Sequence, residues 1–178
     1  MVDKRYRAGT VVFDASPLIY LAKLDAFDVL ETLKIVGAVT PTVSQETTRP
    51  AVAYRHRDGL VIEATLEHGT LIPLQLTASE SNEGRDLEKR IAGLHGGECE
   101  VLAVAIERSM PAVIFERRAR AVARALGIEL VDITELLIDG TADADLLDQR
   151  IRRFGELVDM RLKDMERLLE VARKGRLP

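Results

Sequence analysis

Four carboxylates stand where strand-like runs give way to helical ones. Asp14 follows Thr10-Val11-Val12-Phe13 and Glu116 follows Ala112-Val113-Ile114-Phe115, each ending a short buried-strand pattern. Glu46 and Glu98 fall about one turn into the helices predicted to open near Val43 and after Gly96-Gly97. In a parallel sheet the carboxyl ends of the strands and the first turns of the following helices share one rim, where ligands bind. Carboxylates gathered there repel one another unless a cation sits among them. Hard oxygen donors favour Mg²⁺ or Mn²⁺ over zinc. Such an ion polarises a phosphodiester and makes hydroxide from bound water near neutral pH. The set therefore predicts metal-assisted phosphodiester hydrolysis. Each residue also has a plainer reading: Asp14 as a helix cap, Glu98 as a carboxylate favoured by a helix dipole.

These residues need a frame to hold them. After Asp14, Ser16 is placed to cap a helix with Pro17 in its first position, and Leu18, Ile19, Leu21, Ala22 and Leu24 supply its core face. A second helix is predicted over Asp25 to Gly37, with Gly37 ending it, then a strand at Ala38-Val39-Thr40. Thr47 to Asp58 reads as a mobile loop, and Thr70 to Leu76, carrying Pro73, as an edge strand. Thr77 to Gly84 is predicted as a loop and Asp86 to Leu94 as a short charged helix. Arg117 to Leu126 continues as a helix that Gly127 closes, before a further strand at Ile128 to Val131. Strand and helix signals alternate, which predicts an α/β domain with a mostly parallel central sheet. Ile138 to Ala144 reads as a boundary. From Asp145 to Lys174 an apolar stripe of Leu147, Ile151, Phe154, Val158, Leu162, Met165 and Leu168 predicts a helix about 45 Å long if unbroken. That stripe packs back on the domain or pairs with another chain; the pattern alone leaves both open.

The 178 residues fit one compact domain with an extension, and a 47% hydrophobic fraction is ample for a core. No apolar run approaches the ~20 residues of a membrane span. The N-terminal MVDKRYRAGT lacks a signal-peptide pattern, so a cytoplasmic protein is expected. A single cysteine, Cys99, excludes an internal disulfide framework and reads as a small core residue. The net charge of −4 gives no global pull toward nucleic acid. Local arginines can still do so: Arg117 and Arg120 share a helix face beside Glu116, although a solvated face explains any single arginine as well. No Walker-type Gly-Lys-Ser/Thr loop, G-x-G-x-x-G or G-x-S-x-G elbow is present, so nucleotide-driven and serine-hydrolase chemistry lack support. Glu100 projects about 200° from Glu98 on a helix, so only one of the two is expected to face the site.

The segments VVFDASPLIYLAKL, TPTVSQE, GGECEVLAVA and the strand-E-RRARAVARALGI stretch resemble, in order, the motifs of PIN-domain proteins, in particular the DUF3368-like subgroup. The resemblance covers roughly residues 10 to 137. It implies a three-layer α/β/α PIN-like domain at 1–140, followed by a long helical extension at 141–178. It also implies a Mg²⁺- or Mn²⁺-dependent ribonuclease, such as the toxin of a toxin–antitoxin pair, with RNA as substrate and an antitoxin as partner. By position, Asp14 and Glu98 match the first two metal ligands and Glu46 a frequent acidic position beside them. Ser16 matches the small hydroxyl residue near the first Asp, grouped with Arg117 and Arg120 on the RNA side. Where the family commonly has two acidic residues, this sequence has Phe115-Glu116. If the third ligand aligns with Glu116 the set is complete; if with Phe115 it is one short, and the chain is then a catalytically inactive module binding RNA or a protein. The C-terminal helix is expected to serve a homodimer or an inhibitor contact.

Overall fold

The computed structural model describes residues 9–49 and 56–174. Thr10–Phe13 (β1) is the centre of the sheet and is buried beyond Thr10. β-Branched and aromatic side chains on both faces suit a strand covered by helices on each side. Its parallel neighbours are Val36–Val39 (β2) and Ala112–Val113 (β4), and Leu71–Pro73 (β3) closes the order β3-β2-β1-β4. Phe13 stands opposite both Val39 and Val113, so the carboxyl ends of β1, β2 and β4 lie level. All four strands are parallel and helices flank them, an α/β/α arrangement. Pro73 lies in an edge strand, where its missing N–H breaks no ladder. The expected strand at Ile128 to Val131 is reduced to one bridge, Leu130 to Ala112 beyond β4.

The helices are Ala15–Lys23 (α1), Asp28–Leu33 (α2), Pro41–Thr48 (α3), Arg57–Glu67 (α4), Ala78–Arg90 (α5) and Gly96–Arg108 (α6). Arg117–Ala125 (α7), Ile133–Gly140 (α8), Ala144–Leu157 (α9) and Leu162–Lys174 (α10) complete those of the described residues. Each of β1 and β2 runs almost directly into a helix, α1 and α3, which is what sets Asp14 and Glu46 at the same end of the sheet.

Several expectations give way. Ser16 does not cap α1: Asp14 is the N-cap residue, and Ser16 lies inside the first turn. Gly37 does not end a helix; α2 stops at Lys34, whose φ of 57° is left-handed, and Gly37 lies in β2. A side chain there would run into Leu71 and Phe13, so the strand needs a glycine. The stretch Thr77 to Gly84 is not a loop. It begins α5, with the Thr77 hydroxyl accepting from the Glu80 N–H and the Glu80 carboxylate accepting from the Thr77 N–H. The expected loop from Thr47 to Asp58 supplies the end of α3 and the start of α4, and its residues 50–55 lie outside the described residues.

Ile138 to Ala144 includes the end of α8. Gly140 is buried against Val29, and a Cβ on it would approach Val29 Cβ to 2.5 Å. The C-terminal helix comes in two pieces, because Asp159 takes a left-handed φ of 50° between α9 and α10. Leu147, Ile151 and Phe154 of α9 belong to the same core as Val29 and Leu30 of α2. Arg150, only 5% exposed, fastens them: it donates to both Asp28 carboxylate oxygens, to Thr141 Oγ1 and to the Asp25 carbonyl. Among the described residues no helix is long and apolar enough to cross a membrane.

Candidate active site

Asp14 lies where β1 becomes α1. Its N–H donates to the Val113 carbonyl at 3.0 Å, which ties it to β4. As the N-cap residue of α1 it has extended backbone, yet its side chain caps nothing. The carboxyl group is 5% exposed. Burial pushes its pKa up to about 6, the Ala15 N–H draws it back in part, and the charges of Glu98, Glu46 and Glu116 raise it further. The charges of the three other carboxylates expected from the sequence thus act on Asp14.

Glu98 sits in the first turn of α6 and is 7% exposed. Its Oε2 accepts from the His95 N–H at 2.9 Å, so the capping role is real and occupies one oxygen. Glu46 of α3 is exposed, and its carboxylate lies close to the start of α6. A Cβ on Gly97 would come within 3.0 Å of Glu46 Oε2, so the glycine admits the carboxylate. Burial, then the charges of Glu100 and Glu98, raise the Glu46 pKa, and His95 opposes them.

Glu100, expected to face away, answers this contact. It accepts from Thr42 N–H at 2.9 Å and from Thr42 Oγ1 at 2.6 Å in the first turn of α3. Glu100 thus reaches the N-terminal turn of α3, where backbone donors and dipole favour a carboxylate, while Glu46 Oε2 lies close to Gly97 at the start of α6. No local sequence pattern announces the Glu100–Thr42 bond, because its partners are 58 residues apart.

Glu116 is the exposed N-cap residue of α7 and makes no cap bond with its side chain, and its charge is felt at Asp14. Phe115 points its ring elsewhere. It packs edge-on against Tyr20 of α1 at 4.9 Å and Phe154 of α9 at 6.1 Å, with Tyr20 and Phe154 themselves 5.6 Å apart. Of the two positions the sequence left open, Glu116 joins the acidic group and Phe115 joins a hydrophobic seam with the C-terminal part of the chain. Ser16 is half-buried in the first turn of α1.

The arginines of α7 separate into roles. Arg117 is exposed beside Glu116. Arg118 lies against Gly93. Arg120 donates to the Ile114 carbonyl at 2.8 Å and to Asp132 Oδ2 at 2.9 Å, joining α7 to the end of β4 and to the start of α8. Its guanidinium is therefore committed to the scaffold.

One residue on this rim escaped the sequence reading. Thr40, directly after β2, is fully buried, and its Oγ1 has no hydrogen-bond partner among the described residues. Its position after a strand, the same as that of Asp14, was the available signal.

Among the described residues no three His, Cys, Asp or Glu side chains are already arranged to hold a metal ion. The donor set nevertheless suits a hard divalent cation: carboxylate oxygens, with a buried member whose pKa is raised first by burial and then by the charges of its acidic neighbours. The model of the DUF3368 family, described as a PIN domain, matches residues 10–159. No curated protein matches the chain. PIN domains are in general nucleases and typically use divalent metal ions. Matched over most of its length, and built on an all-parallel sheet with acidic residues at its carboxyl rim, the chain belongs to the PIN-domain family.

Proposed function

We propose that this protein is a Mg²⁺- or Mn²⁺-dependent ribonuclease in which Asp14, Glu98 and Glu116 hold the ion and Glu46 stands beside them. The observation that carries this reading is Asp14: a buried carboxyl under the charges of three other carboxylates. A buried anion is costly unless paired, so a scaffold that buries Asp14 and turns three further carboxylate charges on it favours a cation there. A bound divalent ion would supply Lewis-acid polarisation of the phosphodiester and an activated water.

The chain itself provides the rest. β1 and β4 fix the backbone of Asp14. The cap bond from His95 restrains Glu98, the Glu100–Thr42 bonds tie α3 to α6, and Gly97 leaves room for the Glu46 carboxylate. Arg117, exposed at the start of α7, is placed to meet an RNA phosphate next to Glu116. Arg120 would act on RNA only indirectly, by holding α7 against β4. A toxin role with an antitoxin partner is part of the same proposal and adds no further residue to the site.

Calorimetric titration with Mn²⁺, wild type against Asp14→Asn, tests the reading without knowledge of the RNA target. Binding that the substitution removes, together with Mn²⁺-dependent cleavage of single-stranded RNA that it also removes, is the expected result. A folded wild type that binds no Mn²⁺ would overturn it in favour of a silent module that binds RNA or protein.

A further inference from the structure

We propose that Thr40 is a positioning residue for Asp14, its buried hydroxyl serving as the donor that orients the Asp14 carboxylate when that group turns to hold an ion. This rests on the metal-site reading above. β1 and β2 are parallel neighbours with Phe13 opposite Val39, so the residues that follow, Asp14 and Thr40, stand side by side at the carboxyl rim. Adjacent strands are about 4.8 Å apart, and matched residues on them point to the same face. The two residues also share a backbone: φ −79°, ψ 164° at Asp14 and φ −74°, ψ 161° at Thr40.

Each is the N-cap residue of the helix it precedes, and in each the side chain forms no cap bond. Asp and Thr at an N-cap ordinarily spend their oxygen on the helix. Here neither side chain makes that bond: among the described residues Thr40 Oγ1 has no partner, and Asp14 takes only the Ala15 N–H. Asp14 has an assigned task and Thr40 has none, although its Oγ1 is buried without a partner. A stranded hydroxyl in a fully buried position is unfavourable, and valine would fill the same volume without one. The neighbour that can use a donor at this height of the sheet is the Asp14 carboxylate, which takes a backbone N–H from Ala15 and is otherwise pressed by like charges. Groups that orient metal ligands from behind commonly set affinity by 10–100-fold on removal.

The test compares wild type, Thr40→Val, Thr40→Ser, Thr40→Ala and Asp14→Asn by Mn²⁺ calorimetry and by metal-free thermal unfolding. We expect Thr40→Val to weaken Mn²⁺ binding about 10–100-fold while its metal-free melting temperature is unchanged or higher. Thr40→Ser should restore binding to within about threefold of wild type. Thr40→Ser and Thr40→Ala differ by the hydroxyl alone, so about a tenfold gap between them keeps the test valid should Val disturb the packing. Equal affinities in that pair, or a Thr40→Val protein that binds like wild type while Asp14→Asn does not, would overturn the role of Thr40 and leave the site standing. A wild type without Mn²⁺ binding would overturn both.

Discussion

Two carboxyl groups, Asp14 and Glu80, are almost equally hidden from water, at 5% and 1% exposure, and have opposite fates. Glu80, in the first turn of α5, is held by Arg108 of α6: Oε1 takes Nε at 2.5 Å and Oε2 takes Nη2 at 2.9 Å. That pairing, with the Thr77 N–H, overcomes burial and draws the Glu80 pKa down to about 2. Asp14 has burial with no arginine bonded to it among the described residues, and its pKa climbs to about 6. The same chain thus completes one buried charge, on the α5–α6 hairpin, and leaves another incomplete at the sheet rim. The first is scaffold. The second is the place where a ligand changes the energetics.

The largest expected effect breaks the completed pair. Arg108→Met strands Glu80 and should cost about 3 kcal/mol at pH 7, the low end for a broken buried pair because Arg108 is itself partly exposed. Adding Glu80→Gln should recover most of that loss, as read by urea denaturation. If Arg108→Met costs as little as an exposed ion pair, the contrast between the two carboxylates fails.

The next effect has the opposite sign. Asp14 has a folded-state pKa above its ordinary 3.8, so folding disfavours its ionised form. Below about pH 4 the group is neutral in both states and costs nothing. The penalty grows between about pH 4 and pH 6 and is complete above that, of order 3 kcal/mol at ~1.4 kcal/mol per pH unit. Metal-free Asp14→Asn should therefore be more stable than wild type by about 2 kcal/mol at pH 7, and the gain should fade toward pH 4. Glu80 titrates with the reverse sign: its contribution is complete above its ordinary value of 4.5 and is lost as pH falls toward about 2. A ligand that binds only the folded protein adds stability, so saturating Mn²⁺ should narrow or reverse the advantage of Asp14→Asn. An advantage that is the same at pH 4 and pH 7 would remove the electrostatic explanation.

Phe115 tests the boundary between rim and scaffold. On a sequence view, Phe115→Asp restores a missing acid. In the folded protein it removes one ring of the Tyr20–Phe115–Phe154 group and puts a charge against the other two. We expect a loss of about 2 kcal/mol, within the usual range for disrupted core packing, and no gain in Mn²⁺ affinity. Tighter Mn²⁺ binding in that variant would return position 115 to the rim.

How far the sequence could be read follows from the range of the forces involved. The places of Asp14, Glu98 and Glu116 at the starts of helices were legible because the switch to a helix pattern is local. Cys99, nearly fully buried, was legible as core for the same reason. The start of α5 was legible in principle: Thr77 and Glu80 have capping-box spacing, but the polar run between Thr77 and Gly84 outweighed it. Asp132 and Glu135 likewise announced α8, and the Asp132 carboxylate does accept from the Thr134 N–H. Gly37 was misread because a glycine that ends a helix and one that admits Leu71 and Phe13 look alike until the sheet is assembled. Arg150 with Asp28, 122 residues apart, and Glu100 with Thr42 belong to a different category. They exist only after packing, and no local pattern encodes them.

The smallest effect separates position from stability. Gly97→Ala places a Cβ 3.0 Å from Glu46 Oε2 and 3.3 Å from Val43 Cγ2. Glu46 is exposed and long, so its tip can move away, and alanine's helix preference offsets up to about 1 kcal/mol of the crowding. Stability should therefore change by less than about 1 kcal/mol, unlike Gly140→Ala, where the obstructing atoms are the backbone and Cβ of the buried Val29. What Gly97→Ala should alter is the charge around Asp14: a displaced Glu46 presses on it less, lowering its pKa and weakening Mn²⁺ binding a few-fold if Glu46 contributes to the site. Unchanged Mn²⁺ affinity with a displaced Glu46 would reduce the working set to Asp14, Glu98 and Glu116, and would make the approach of Glu46 to Gly97 a matter of packing alone.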